Sequence, residues 1–349
     1  MARHPRDRTL VLHIGIHKTA TTFLQNVLSS RRYDLLREGV LYPAAGTADG
    51  IDTRTREGAQ SGHILFTRFG PRRPRVLADL YKELPDSAST VLLSSENFSL
   101  PRPTSVAQYL NGLSEFGTVK VVLVLRRQDE WIESWYKQTV DQYGNFETRS
   151  FDEFLELEGP SLLDFHARFT PWRDLVGPEN FHVLSYDDLD GASICRRILE
   201  VAGVGGPLLD DATSIPVPRY DSVRSIDTLG LRILNSYRLK SRDARIAAAK
   251  SIYSAAPVSD IELMTPEVRA GIQAFCAPIN QRIEAEWCTE PVPGFRFGSA
   301  PRAASASSSP PTGPEVVDYI DQVISLCEEA RERAESAEGG DGGDGGSAA

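Results

Sequence analysis

The stretch LHIGIHKTATTFLQNVL, residues 12–28, sets four side chains suited to holding a phosphate at the mouth of a helix: Lys18, Thr19, Thr21 and Thr22. An apolar run gives way to a loop with one glycine, Gly15, then His17 and Lys18. Hydroxyl residues follow, ahead of Phe23, Leu24, Val27 and Leu28 at helical spacing. A loop joining a buried strand to a helix presents free backbone N–H groups at the positive end of the helix dipole, which is an anion cradle. Lys18 adds a point charge and the threonine hydroxyls add donors, while a plain helix start is the bland alternative. The P-loop of nucleotide hydrolases, GxxxxGK followed by Ser or Thr, is the nearest comparison. Here His17 stands where its second glycine would be, and no strand ends in an aspartate placed to hold Mg²⁺. The residues predict a phosphate cradle, and they argue against a metal-dependent nucleotide hydrolase.

A second pair lies further on, in VVLVLRRQDEWIESWY. Arg126 ends an apolar run and Ser134 follows eight residues later, inside a helix for which Asp129 is the expected N-cap. An arginine and a serine so spaced can grip one phosphate from two directions, by charge and by a hydroxyl donor. Separately they read as a surface arginine and an ordinary helix serine. Glu96 closes the run STVLLSSE and is the candidate general base, with a cap or ion-pair role as its alternative. His63, in QSGHILF, is a candidate acceptor contact or second base, although a lone histidine of this kind is more often structural. Trp131 and Trp135 recur at helical spacing and read as core. Residues 51–75 carry Arg54, Arg56, Arg68, Arg72, Arg73 and Arg75 against Asp52 and Glu57, a local excess that could recruit an anionic acceptor, cover a donor or simply be solvated.

These residues must be positioned by strands. TLVLHIGI (9–16), STVLLSSE (89–96), TVKVVLVLRR (118–127) and NFHVLSYDDL (180–189) are nearly all apolar up to a polar end, the pattern of parallel strands covered on both faces. Helical stretches lie between them. The expected fold is α/β, a doubly wound, mainly parallel central sheet flanked by helices, with ligands at the carboxyl ends of the strands. Beyond Asp221 the chain reads as mostly helical; in TPEVRAGIQAFCAPINQRIEAEW, Thr265 is an N-cap with Pro266 at the first helical position.

Composition bounds the rest. With 349 residues, 41% of them hydrophobic and 25% charged, the chain is long enough for a sizeable core. A formal net charge of −10 makes it a poor candidate for nucleic acid or anionic membrane, so an anion site must be a local positive pocket. Cys195, Cys276, Cys288 and Cys327 form no CxxC pair or Cys/His cluster, which supports neither a disulfide framework nor a metal site. No run is long enough to span a bilayer and no cleavage-like leader is seen, so a cytoplasmic protein is expected. The expected organisation is a single domain over 1–298, a Ser/Ala/Pro-rich linker over 299–314, an amphipathic helix over 315–335 and a disordered tail over 336–349. That helix could pack on the body, support self-association or stay marginal.

Taken together, HIGIHKTATT and the Arg126–Ser134 pair resemble the sulfotransferases that use 3′-phosphoadenosine 5′-phosphosulfate. The likeness is to their bacterial and carbohydrate-type branches, whose loop reads His-Lys-Thr-Gly-Thr-Thr, and extends to LSSENF, VLSYDDL and the TPEVRAGIQAFCAPIN type of helix, over roughly residues 9–298. The resemblance implies a P-loop-like sulfotransferase fold. It also implies a metal-independent, in-line transfer of a sulfuryl group to a hydroxyl or amine of a small-molecule or glycan acceptor, with adenosine 3′,5′-bisphosphate as product. On this reading His17, Lys18, Thr19, Ala20, Thr21 and Thr22 bind the 5′-phosphosulfate, and Arg126 and Ser134 the 3′-phosphate. Lys18 steadies the leaving phosphate, Glu96 is the base, and His17 shapes the loop. Ala20 replaces the family's glycine, so the backbone there is expected to avoid positive φ. Phe23 stands where relatives carry a tryptophan against the adenine, and the late glycine-rich segment of the animal cytosolic enzymes is absent. The alternatives are a P-loop kinase or other nucleotide-binding enzyme, and a non-catalytic nucleotide-binding module on the same fold.

Overall fold

The structure is a computed structural model; it describes residues 5–47, 62–100, 106–113, 115–187, 189–213, 223–257, 259–288 and 311–339. In chain order the elements are β1 (Thr9–His13), α1 (Thr21–Ser30), α2 (Arg32–Arg37), β2 (Val40–Leu41), α3 (Arg73–Glu83), β3 (Thr90–Ser94), β4 (Thr118–Leu125), α4 (Gln128–Asp141), α5 (Phe151–Leu163) and α6 (Phe165–Val176). There follow β5 (Phe181–Ser185), α7 (Gly191–Val201), α8 (Gly206–Thr213), α9 (Ser225–Ser236), α10 (Arg242–Ala255), α11 (Pro266–Trp287) and α12 (Gly313–Gly339). The chain divides into two compact units, one of residues 1–128, 161–219 and 273–299, the other of 129–160, 220–272 and 300–349. The linker expected over 299–314 and the tail expected over 336–349 lie largely outside the described residues.

The first unit is an α/β sheet flanked by helices. Its five strands run in the order β2-β3-β1-β4-β5, all parallel. The sequence places β1 between two partners that arrive much later: His13 pairs with Ser94 on one side and Val122 on the other. Every strand side chain from Leu10 to Leu12 and from Val91 to Leu93 is fully buried, as a sheet covered by helices requires. Val11, Leu92, Val122, Val124 and Leu184 pack with Phe23, Leu24, Val27 and Leu28 of α1 and with Ile194, Cys195 and Ile198 of α7. Burying that face is what turns α1 and sets its N-terminus at the carboxyl edge of the sheet. The strands expected at 9–16, 89–96, 118–127 and 180–189 each stop short: the polar ends after β3, β4 and β5 become loops, and Ile14–Ile16 after β1 keeps hydrogen bonds to β4 on its way into the loop; the two-residue β2 carries too little pattern to be read in advance.

The second unit is helical among the described residues. Tyr319, Val323, Cys327 and Ala330 recur at i, i+4, i+8 and i+11 and are buried, so α12 packs with its own unit, against α9 and α10. Gly230 of α9 makes this contact possible, since a Cβ there would lie 2.4 Å from Tyr319 Oη and 2.6 Å from Ile252 Cγ2. Asp129 is not the cap of α4, which starts one residue earlier; its carboxylate pairs with Arg269 at 3.1 Å instead. Thr265 does cap α11, accepting from Val268 N–H at 3.4 Å. Among the described residues no helix is long and apolar enough to cross a membrane.

Candidate functional site

The loop from Ile14 to Ala20 leaves the centre of the sheet and enters α1. Ile14 and Ile16 N–H donate to the Val122 and Val124 carbonyls of β4, at 2.9 and 3.1 Å, so the loop first continues along the sheet. Gly15 lies so close to its neighbours that a Cβ would fall 2.5 Å from His13 Nε2 and 3.3 Å from Val124 Cβ. Thr19, buried, donates its hydroxyl to Ile16 O at 2.6 Å and closes the turn on itself. This commits the Thr19 hydroxyl to shaping the loop.

Ala20 overturns one expectation. It has φ 57° and ψ 23°, in the left-handed region, and Lys18 has φ 66°. The loop must reverse from strand to helix within a few residues, and it does so with two left-handed residues whether or not a glycine is supplied. An alanine in that region costs about 1–2 kcal/mol. The outcome is a helix start without a side-chain cap and without an acidic residue in its first turn. Its first N–H groups have no intrahelical acceptor. Thr21, 5% exposed, has a buried Oγ1 with no hydrogen-bond partner among the described residues, while Thr22 is half-buried. A buried hydroxyl without a partner costs about 1–3 kcal/mol unless something fills that role.

Glu96 stands after β3, next to β1 in the sheet. Ser95 accepts from Asn97 N–H at 3.3 Å and caps the short 3-10 turn Glu96–Ser99 that carries it. The carboxylate is half-buried and makes no ion pair among the described residues. Gln25 Nε2, on the sheet-facing side of α1, donates to Glu96 Oε2 at 3.2 Å and to Ser94 Oγ at 3.3 Å. His17 hydrogen-bonds the Asn97 side chain and feels the charges of Glu96, Lys18 and Arg168. Burial, more than any of these, holds its pKa below the ordinary imidazole value, and Lys18 and Arg168 act the same way against Glu96 and Asn97. A neutral His17 thus ties the cradle loop to the turn bearing Glu96. Arg168 of α6 donates to the Leu162 and Ser99 carbonyls, at 2.5 and 2.9 Å, and burial pulls its pKa down to about 9, leaving it a cation at neutral pH.

His63 is fully buried. Ser94 N–H donates to its Nδ1 at 3.0 Å, which fixes the tautomer, and the remaining Nε2–H donates to Pro43 O at 3.0 Å. Burial first of all lowers its pKa to about 4. With both ring nitrogens committed, His63 is a structural pin and has no nitrogen left for an acceptor or a proton transfer. Phe23, 2% exposed, belongs to the core and offers no ring to a base. Of the arginine-rich stretch, Arg73 is a buried clamp on the carbonyls of Phe66, Tyr109 and Asn111. Arg68, Arg72 and Arg75 are exposed, and Arg54 and Arg56 lie outside the described residues.

Arg126 follows β4, two strands along from β3, with its guanidinium carbon 5.4 Å from the Tyr186 ring centre; Tyr186 is itself anchored by its N–H on Leu125 O at 2.8 Å. The neighbouring Arg127 N–H donates to the Asp187 carboxylate. Ser134 belongs to the second unit, where its buried Oγ has no hydrogen-bond partner among the described residues. Trp131 and Trp135 stack there at 6.1 Å, Trp131 buried and Trp135 half-buried.

The first unit therefore brings Lys18, the uncapped start of α1, Thr21, His17 and Glu96 to the carboxyl ends of adjacent strands β1 and β3. Gln25, Asn97 and Arg168 support them without having been anticipated. For Gln25 a signal existed, an amide placed among Leu24, Val27 and Leu28 on a helix face that is otherwise apolar. No protein-family model matches the chain, and a search of curated proteins gives no significant match.

Proposed function

We propose that this protein is a sulfotransferase that takes its sulfuryl group from 3′-phosphoadenosine 5′-phosphosulfate and passes it to a hydroxyl or amine. The observation that carries the reading is the start of α1: an uncapped helix end beside Lys18, with the buried Thr21 hydroxyl unpartnered among the described residues, next to a strand that delivers Glu96 with no ion pair among them. An oxyanion supplies acceptors for these donors, and a carboxylate that accepts from an amide and has no ion pair among the described residues is suited to take a proton.

The donor, when bound, supplies an activated sulfuryl group on a phosphate leaving group. Lys18 and the α1 N–H groups stabilise negative charge at that phosphate as it develops. Thr21 donates from its hydroxyl, and Thr19 keeps the loop in shape through Ile16. Glu96, oriented by Gln25, accepts the proton of the attacking group. His17 and Asn97 hold loop and base in register, so the reacting groups meet with little motion left to lose. Arg126 takes the 3′-phosphate; the share of Ser134 in that contact rests on its spacing in the sequence.

Calorimetric titration with adenosine 3′,5′-bisphosphate, and separately with ATP and Mg²⁺, tests this on wild type and Arg126→Ala. Tight bisphosphate binding, weakened by about tenfold or more in the variant and indifferent to Mg²⁺, is the expected result. Preference for ATP with Mg²⁺ would turn the reading toward a kinase, and no nucleotide binding would end it.

A further inference from the structure

Arg32 opens α2, and its surroundings differ from those of the arginines around it. Arg31 and Arg37 both reach Asp34, at 3.7 and 3.0 Å. Arg32 is half-buried and has no carboxylate in ion-pair range among the described residues. Its one hydrogen bond among the described residues is long, from Nη2 to Pro43 O at 3.4 Å, onto a carbonyl already taken by His63 Nε2–H at 3.0 Å. Its Nε is buried with no hydrogen-bond partner among the described residues, and its Cζ lies 5.6 Å from the Tyr42 ring centre. A guanidinium has five N–H donors in a rigid fork that matches an oxyanion, and a half-buried cation without a counter-charge is costly.

The position of this cation relates it to Glu96. Pro43 O, His63 and the Ser94 backbone form a chain of hydrogen bonds from Arg32 to the end of β3, two residues before Glu96. The buried Tyr42 phenol feels both charges, Arg32 easing its ionisation and Glu96 opposing it, so guanidinium, phenol and carboxylate share one neighbourhood. Arg68 and Arg72 follow the turn Ile64–Thr67, which packs on the turn carrying Glu96, and both are exposed without an ion pair among the described residues. These arginines lie on elements on the side of Glu96 away from β4 in strand order, where Asp34 is already paired with Arg31 and Arg37, and Glu83 accepts from the Ala44 and Ala45 N–H groups.

We propose that Arg32 is an anion-binding residue for the acceptor: the molecule that receives the sulfuryl group already carries a carboxylate, or a phosphate or sulfate ester, beside the hydroxyl or amine that reacts. The word acceptor rests on the transferase reading above; the anion site does not.

The test uses the full chain saturated with adenosine 3′,5′-bisphosphate, so that the α1 cradle is occupied. The Arg32 Nε–H resonance, assigned by its loss in Arg32→Lys, is followed while acetate, methyl phosphate or neutral acetamide is added. At least one of the two anions should move the resonance and bind about ten- to a hundredfold more tightly than acetamide, as charge-assisted hydrogen bonds do. The preference should shrink in Arg32→Lys and vanish in Arg32→Gln, and which anion wins separates a carboxylate from an ester. Equal response to acetamide, or a preference that survives Arg32→Gln, overturns the proposal. If the bisphosphate binds and the anions show no preference, the anion site falls and the transferase reading stands. If the bisphosphate fails to bind while the anions still move Arg32, the site stands and the transferase reading falls.

Discussion

At the scale of single residues, the cradle loop is held in a conformation that its sequence disfavours. Ala20 sits at φ 57°, where glycine carries no steric cost. Ala20→Gly should therefore raise stability by about 0.5–1 kcal/mol, the relief of a left-handed Cβ less the extra freedom of an unfolded glycine. Urea denaturation of the two proteins checks it, and a less stable glycine variant would mean the strain is borne by another residue. Gln25 offers a second case. Gln25→Leu keeps the packing of α1 and removes the donor to Glu96, so turnover should fall by about tenfold while bisphosphate affinity holds; parallel loss of both would mark a merely structural amide. A third expectation concerns pH. His13 and His63 are buried and neutral, with pKa values lowered to about 3 and about 4 by burial. The unfolded chain takes up these protons near pH 6.5, before the native state does, so stability is complete above that pH and declines as pH drops toward 4 and then 3, by roughly 3 kcal/mol or more per histidine over the full range. Denaturant midpoints at pH 7, 6 and 5 should fall in that order, and a flat series would contradict the buried neutral rings.

At the scale of elements, the strands that carry the site were legible and their ends were not. Four apolar runs announced β1, β3, β4 and β5, because full burial of a parallel strand leaves a continuous apolar trace. The positions of Lys18 and Glu96 at strand ends followed from the same trace. The placements of Gln25, Asn97 and Arg168 did not, since hydrogen bonds between segments far apart in sequence leave no periodic signature. Ala20 departs from its residue type for a related reason: alanine favours a negative φ, and the geometry of the turn overrides it. His63 could not be sorted between pin and ligand until the donors on its two nitrogens were known. Helix α12 raises its own test. Tyr319 Oη is buried without a hydrogen-bond partner among the described residues and fits against Gly230. Tyr319→Phe should be neutral or stabilising by up to ~1 kcal/mol. Gly230→Ala should lose about 1–3 kcal/mol, because a methyl has no room beside Tyr319 and Ile252. Thermal unfolding of the pair decides it, and equal effects would mean that α12 yields to the added methyl.

At the scale of the whole molecule, the proposed anion site lies in a chain of net charge −10. On the proposed reading the distant charges oppose a bisphosphate while Lys18, Arg126 and the helix dipole attract it; short-range attraction is screened less when partly buried. Raising salt from about 0.05 M to about 0.5 M should weaken bisphosphate binding only several-fold, far less than for a protein that binds through an exposed basic face. A loss of several orders of magnitude in the same titration would place the binding charges at the surface. The strand order carries a different consequence, one for how the chain is made. β1 leaves the ribosome ahead of the strands it pairs with, which lie at residues 90–94 and 118–125. At about 5–20 residues per second, roughly 5–20 seconds of synthesis pass before both edges of β1 can be covered. Over that interval the apolar TLVLH segment and the loop after it wait with no neighbour strand, a nascent chain suited to capture by a chaperone and prone to error when translation stalls before β4 is made.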